Sequence, residues 1–242
     1  MSRIGPNLDD GQYGFREGRS TVDAIRRLRS LSEAIVQEGG VAVAVSWTSP
    51  THLTPCPGTG PGGGGKETEA IFLHGRRMKP PQAQIRVGRV RVPIEAQMRY
   101  LGLTLDGTWC FKQHFNRLVP RLRAVSSRVS RLMPRTGGPD GKARRLHAGV
   151  LNSVALYGAP IWAEALAVSR PIQATLRRVQ RALAVRVARC YRTVSHVAAT
   201  VLASMPPLEL MALSYMRMYD RKRELLRMGG GRKNRSPGQS EG

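Results

Sequence analysis

The chain has 242 residues, with 39 Lys and Arg against 16 Asp and Glu and a formal net charge of +23 at pH 7. That length allows one or two ordinary domains, and 41% hydrophobic residues can build a core. The charge excludes an acidic or halophilic profile and points to a polyanion, nucleic acid before an anionic membrane surface. No apolar run approaches the roughly 18–20 residues that cross a bilayer. The opening MSRIGPNLDD lacks the apolar stretch of a signal peptide. Cys56, Cys110 and Cys190 are far apart and odd in number, so neither a disulfide framework nor a zinc site follows from them. The expectation is an intracellular protein with reduced thiols, nucleus or cytoplasm unresolved.

In chain order, Ser20 or Thr21 caps a first helix, with Asp23 in its first turn. Ala24, Ile25, Leu28, Leu31, Ile35 and Val36 recur at helical spacing until Gly39-Gly40. Val41–Val45 reads as a buried strand. Residues 46–65, SWTSPTHLTPCPGTGPGGGG, can bury no face and read as a linker. Ala70–Leu73 is a strand, Ile85, Val87, Val90 and Val92 alternate around a Gly88-Arg89 hairpin turn, and MRYLGLTL (Met98–Leu105) is one more strand. Together they predict a small antiparallel sheet over 69–105.

The rest reads helical. Phe111, Phe115, Leu118, Val119, Leu122, Val125, Val129 and Leu132 mark a long helix that Pro120 should kink or split. Asp140 caps a second, carrying Leu146, Val150, Leu151 and Val154 and stopping near Gly158. Ser169 and Pro171 open a third, with Ile172, Leu176, Val179, Leu183 and Val187 on one face. Ser195 caps a short fourth before Pro206-Pro207, and a fifth runs from about Leu208 to Met228. The fold class expected is α+β, mainly α: a small antiparallel sheet followed by a helical region.

Unrolled at 100° per residue, Arg117, Arg121, Arg128, Arg131 and Arg135 fall within about 40° of one line on the long helix. Such a ridge repels itself and suits a phosphate backbone. Arg177, Arg178, Arg181, Arg186 and Arg189 cover the non-core side of the third helix, and Arg144 and Arg145 add charge to the second. Arginine matches phosphate through its planar fork. The binding expected is salt-sensitive and nonspecific, to RNA or DNA, with no membrane and no small-molecule partner.

QYGFREGRSTVDAI, residues 12–25, resembles the fingers motif Q-x-G-F-R-x-G-R-S-T of the reverse transcriptases of non-LTR retrotransposons. KETEAIFLHG, MRYLGLTLD, LYGAPIWAEAL and RVARCYRTVS, between Lys66 and about Arg192, resemble the palm end, the thumb and the region after it in insect-type elements related to those that insert in ribosomal RNA genes. The resemblance covers most of the chain in family order. It implies that Arg16 and Arg19 lie near template or incoming nucleotide, that Tyr100-Leu101-Gly102 form a primer-grip hairpin, and that 111–133 is the first thumb helix. It also places Lys66 at the motif D lysine, although K-E-T-E here is one residue longer than the family's K-T-E.

Polymerase chemistry needs carboxylates that hold two metal ions, and intact family members use Mg2+. The chain has only Asp9, Asp10, Asp23, Asp106, Asp140 and Asp220, and its single adjacent pair precedes the fingers motif. VAVAVS should run into a catalytic turn but enters the Gly/Pro stretch instead. The segments expected are therefore a fingers/palm remnant (1–45), a linker at a deletion (46–65), a palm-end sheet (66–106), a thumb and post-thumb region (107–228) and a disordered tail (229–242). Histidines 52, 74, 114, 147 and 196 are scattered, and Gly62–Gly65 before Lys66 lacks the P-loop pattern because Glu67 follows the lysine. The reading is a truncated reverse-transcriptase fragment, inactive as a polymerase, without cofactor or metal, that at most binds nucleic acid. Its alternative is a stand-alone basic helical RNA/DNA-binding protein.

Overall fold

The structure, a computed structural model, describes residues 12–13, 16, 18–47, 68–75, 78, 83–87, 90–134 and 137–232. It is α+β and mainly helical, and it divides into two compact units, Met1–His114 and Phe115–Gly242.

The first unit opens with helix α1, Thr21–Gln37, held at its start by a capping box in which the Ser20 side chain accepts from the Asp23 N–H and Asp23 accepts back from the Ser20 N–H. Its inward row is Ile25, Ser32 and the half-buried Val36, whereas Leu31 and Ile35, expected in the core, are exposed. Ser32 accepts from the Trp109 indole N–H at 3.2 Å, which fixes that row inward.

Strand β1, Ala42–Trp47, pairs antiparallel with β2, Thr68–Leu73. Residues 46–65, read as a linker, thus join two paired strands; Ser46 and Trp47 belong to β1, and 48–65 lie outside the described residues. β3, Gln84–Val87, and β4, Val90–Glu95, make the hairpin predicted around Gly88-Arg89. The sheet order is β1-β2-β4-β3, and the β2–β4 pairing is parallel, which the sequence pattern of an all-antiparallel sheet did not foresee. β1 lies at the edge of the sheet; Val41, Val43 and Val45 are exposed on one face and Ala44 is buried on the other, between the half-buried Ala42 and Ser46, so the strand is not buried on both faces as its unbroken apolar run suggested. The stretch read as one strand from Met98 to Leu105 is a hairpin of β5, Gln97–Tyr100, and β6, Leu103–Asp106. Leu101 and Gly102, at φ 46° and 82°, turn the chain between them, and the glycine makes the second left-handed position free of strain. Met98, Leu103 and Leu105 carry the hairpin's buried face.

Asp106 ends β6 and organises the turn after it. Its carboxylate accepts from the N–H groups of Thr108, Cys110 and Phe111 and from the Thr108 hydroxyl. This nest delivers the chain into helix α2, Lys112–Arg131, whose first turn brings His114 beneath the hairpin, where Nδ1 accepts from the Thr104 N–H at 3.4 Å. Helix α2 runs unbroken past Pro120. The proline is on the exposed side, and burial of Leu118, Val119 and Leu122 around it outweighs the lost backbone bond.

The second unit packs α2 with α3 (Gly141–Ala155), α4 (Ala159–Val168), α5 (Arg170–Val187), α6 (His196–Leu202) and α7 (Leu208–Arg232). Asp140 and Ser195 cap α3 and α6 as expected, through the Ala143 and Ala198 N–H groups. The inward face of α3 is Arg144, Ala148, Leu151 and Ala155, not the Leu146 and Val150 of the sequence reading, which are 77% and 49% exposed. A short insertion of helix, α4, is the most apolar element: Ala159, Ile161, Trp162, Ala163 and Leu166 are all buried. It packs on α7 and α5. Trp162 meets Phe115 edge to face at 5.2 Å between ring centroids and donates to the Tyr157 carbonyl. On α5, Leu176, Val179, Leu183 and Val187 are buried as predicted. Helix α7 is described to Arg232, past the Met228 limit read from the sequence, and residues 233–242 of the expected tail lie outside the described residues.

Candidate nucleic-acid interface

In the second unit a groove of about 770 Å3 lies between α2 and α5. One wall is a stripe of α2 at helical spacing, Arg123, Ser126, Ser127, Ser130 and Arg131, closing on Pro134. The other is a stripe of α5, with Arg178, Arg181 and Arg186 standing around Ala182 and Val185. Arg192, on the loop after α5, completes the lining. The geometry follows from residue size: serines, alanine and valine on the facing rows leave the helices apart, and the long arginines stand over the gap. Six guanidiniums and no carboxylate line it.

The acids of the described chain are engaged elsewhere. Glu33 pairs with Arg29, Glu209 with Arg177 at 2.6 Å, and Glu224 with Arg221. None of the six lining arginines is ion-paired with a described carboxylate. Arg181 turns part of its guanidinium to the carbonyls of Val194 and Arg192, which ties the loop to α5. The others present cationic donors to the groove, with the exposed Ser127 and half-buried Ser130 hydroxyls beside them. Such a surface has the chemistry to hold phosphates: planar forks that can bind two oxygens each, and short hydroxyl donors between them.

The end of the groove is fixed from below by Arg144, which is fully buried. Its guanidinium donates to the carbonyls of Pro134, Gly137, Pro139 and Arg186. Burial, and then the neighbouring Arg189 and Arg186, push it below the usual guanidinium value. Arg189 adds a second donor to the Pro139 carbonyl at 2.9 Å. The turn passes through Gly137 and Gly138 at φ 70° and 73°. A Cβ on Gly138 would come within 2.8 Å of the Pro134 ring. Arg144, read from the sequence as added surface charge, is thus a structural post.

Among the site residues expected on α2, Arg117, Arg121, Arg128 and Arg131 are exposed, and Arg135 lies outside the described residues. The groove stripe is centred about 110° round the helix from that ridge, on a 100° wheel. Arg131 belongs to both. On α5, Arg178, Arg181 and Arg186 reach the groove, whereas Arg177 is spent on Glu209 and Arg189 on carbonyls. Sequence reasoning missed Arg123, Arg192 and the three serines. The signal for them was present: small and basic residues recur at i, i+3, i+4, i+7 and i+8 from Arg123.

In the first unit, Arg19 lies over the Tyr13 ring at 5.0 Å, and the Arg16 carbonyl accepts from the Arg19 N–H. Burial, and secondarily Tyr13, raise the Tyr100 hydroxyl above its usual value. Leu101 and Gly102 are exposed at the tip of the turn between β5 and β6. Lys66 lies outside the described residues. Among the described residues, no three His, Cys, Asp or Glu side chains come together as a metal ion would require, and no helix is long and apolar enough to cross a membrane. Cys110 and Cys190 are free thiols.

No known family profile matches the chain, and no solved structure matches it. Among curated proteins it is similar to a 115 kDa protein of the type-1 retrotransposable element R1DM of Drosophila melanogaster, 28% identical over 208 residues. That stretch is 83% of this chain and 19% of the relative, so the chain spans about a fifth of the length of the protein it matches. The chain is a distant relative of a retrotransposon protein.

Proposed function

We propose that this retrotransposon-related chain is derived from the reverse transcriptase of a non-LTR element and acts as a nucleic-acid-binding protein without polymerase activity. The observation that carries the binding half is the α2/α5 groove: six arginines and three serines around a cleft with no carboxylate. Motifs support the lineage half. Q-Y-G-F-R-E-G-R-S-T runs up to the start of α1, and Tyr100-Leu101-Gly102 stands at the turn between β5 and β6, in the order in which the resembling family carries its fingers motif and primer grip. The similarity to a retrotransposon protein over most of the chain supports the retrotransposon origin.

The groove and the ridge share Arg131, so a strand held between α2 and α5 can pass onto the outer face of α2. Contacts of this kind read phosphate and not sequence. The polymerase carboxylates are not replaced: β1 pairs directly with β2, the stretch between them is rich in proline and glycine, and the sequence has no aspartate between Asp23 and Asp106.

Fluorescence anisotropy with labelled RNA and DNA, over a range of salt, tests the binding. Submicromolar affinity at low salt that falls steeply with added salt is the result expected. Affinity absent at low salt, or indifferent to salt, would rule the reading out. Primer extension by the purified chain with Mg2+ tests the other half; template-dependent nucleotide incorporation would restore the enzyme.

A further inference from the structure

Tyr191 stands next to the lining residue Arg192 and is 82% exposed. Its backbone is held on every side. Cys190 donates its N–H to the Val185 carbonyl, Val194 donates to the Tyr191 carbonyl, and Arg181 grips the carbonyls of Arg192 and Val194. Arg189, just before it, sits at φ 52°, a left-handed conformation that a non-glycine residue adopts only when its surroundings fix it. A large aromatic ring is thus presented to solvent from a tightly bound turn, one residue before an arginine that lines the groove. The ring makes no hydrogen bond and no ring contact with a described residue. The fold gains nothing from holding it there.

We infer that the α2/α5 groove takes a single nucleic-acid strand by its phosphates and that Tyr191 stacks on one of its bases, so that the site prefers unpaired strands to duplex. This rests on the nucleic-acid reading above and adds the form of the ligand and the residue that selects it. The chemistry favours it for two reasons. The arginines supply charge but no discrimination between strand forms. A base becomes available for stacking on an exposed ring only where it is not already stacked in a helix, and such stacking tolerates any base.

The test compares full-length wild type, Tyr191→Ala, Tyr191→Phe and the double variant Arg178→Glu/Arg186→Glu. The probes are a short labelled oligouridylate and an RNA duplex of equal length, compared by anisotropy at one low salt and then followed over a range of salt. Tyr191→Ala should weaken oligouridylate binding about tenfold, the usual worth of one stacked base, and change duplex binding less than about twofold. Tyr191→Phe should behave as wild type, because the ring and not the hydroxyl does the work. The slope of affinity against salt should stay the same in both, since no phosphate contact is lost.

Unchanged oligouridylate binding by Tyr191→Ala would overturn the inference, as would equal losses on both probes, or a Tyr191→Phe loss equal to that of Tyr191→Ala. Arg178→Glu/Arg186→Glu reports on the underlying reading by itself. If it binds both probes as wild type does, the groove is not the nucleic-acid site. If it loses both while Tyr191→Ala loses neither, the groove stands and the stacking falls. The exposed ring makes Tyr191→Ala safe for folding, which an unchanged unfolding midpoint verifies.

Discussion

Arg144 brings a guanidinium into a place from which water is excluded, and none of its four partners is a carboxylate. The charge is tolerated because its donors meet carbonyl oxygens that would otherwise be buried without partners. Replacing it with methionine keeps the volume but strands that of Pro134, for which no second donor exists among the described residues, and leaves that of Arg186 with only the 3.4 Å bond from the Arg189 N–H. The expected loss is about 3 kcal/mol of unfolding free energy, measured by urea denaturation with the buried Trp162 as reporter. Arg144→Lys should recover only part of it, because an ammonium cannot span a fork of four carbonyls; full recovery would show that the charge matters and the geometry does not. His114 is the opposite case, a titratable group kept neutral. Burial holds its pKa down to about 4, from 6.5. The unfolded chain therefore binds a proton that the folded chain refuses, so stability is fully present above pH 6.5 and is lost as pH falls towards 4. Between pH 7 and pH 5 the single site should cost about 2 kcal/mol. His196, also lowered mainly by burial, acts with the same sign. In His114→Gln the difference in urea midpoint between the two pH values should shrink; an unchanged difference would place the pH dependence elsewhere.

At the scale of elements, the caps and the amphipathic helices were legible because each is a local statement. Ser20 with Asp23, Asp140 and Ser195 sit where a side-chain oxygen meets an orphan N–H, and no distant contact is needed to see it. The row Leu176, Val179, Leu183 and Val187 has one polar flank and one core flank, so its period shows. What was not legible depends on neighbours. Helix α4 is apolar all round except at Glu164, so it has almost no period to read. The edge position of β1 depends on which strand fails to pair beyond it, and the parallel β2–β4 pairing on a crossover that no turn signal encodes. Helix α3 misled for a third reason. Two of its larger apolar side chains, Leu146 and Val150, point outward, while the residues turned in are alanines, Leu151 and an arginine. For the candidate site, the ridge on α2 could be drawn from one helix alone, but the groove needed the second wall. The loop after β6 offers a test at this scale. Asp106 accepts four hydrogen bonds that set the entry into α2. Asp106→Ala should cost about 3 kcal/mol, seen as a lower urea midpoint, with amide protection lost first around Thr108–Phe111. Asp106→Asn, which keeps two acceptor lone pairs on one oxygen, should fall between. A midpoint equal to wild type in Asp106→Ala would mean that the backbone alone makes the turn.

For the molecule as a whole, the excess of 39 basic over 16 acidic residues becomes informative only when its placement is known. A uniformly basic surface would bind a polyanion weakly everywhere, and removing two charges out of so many would hardly register. In the structure Glu33, Glu209 and Glu224 pair with Arg29, Arg177 and Arg221, and the groove keeps six arginines with no carboxylate in its lining. Arg181 is partly occupied by carbonyls, which leaves about five cations for phosphate. Counterion release then sets the size of the salt effect: five contacts on a single strand give a slope of about −3.5 in log K against log salt. Removing two of them in Arg178→Glu/Arg186→Glu should flatten the slope to about −2 and lower affinity at least tenfold at low salt. Arg117→Glu/Arg121→Glu, on the α2 ridge outside the groove, changes net charge by the same amount and serves as the comparison. If binding is local to the groove, the ridge pair should alter affinity much less than the groove pair. Equal losses in the two pairs would mean that total charge, and not the cleft between α2 and α5, holds the nucleic acid.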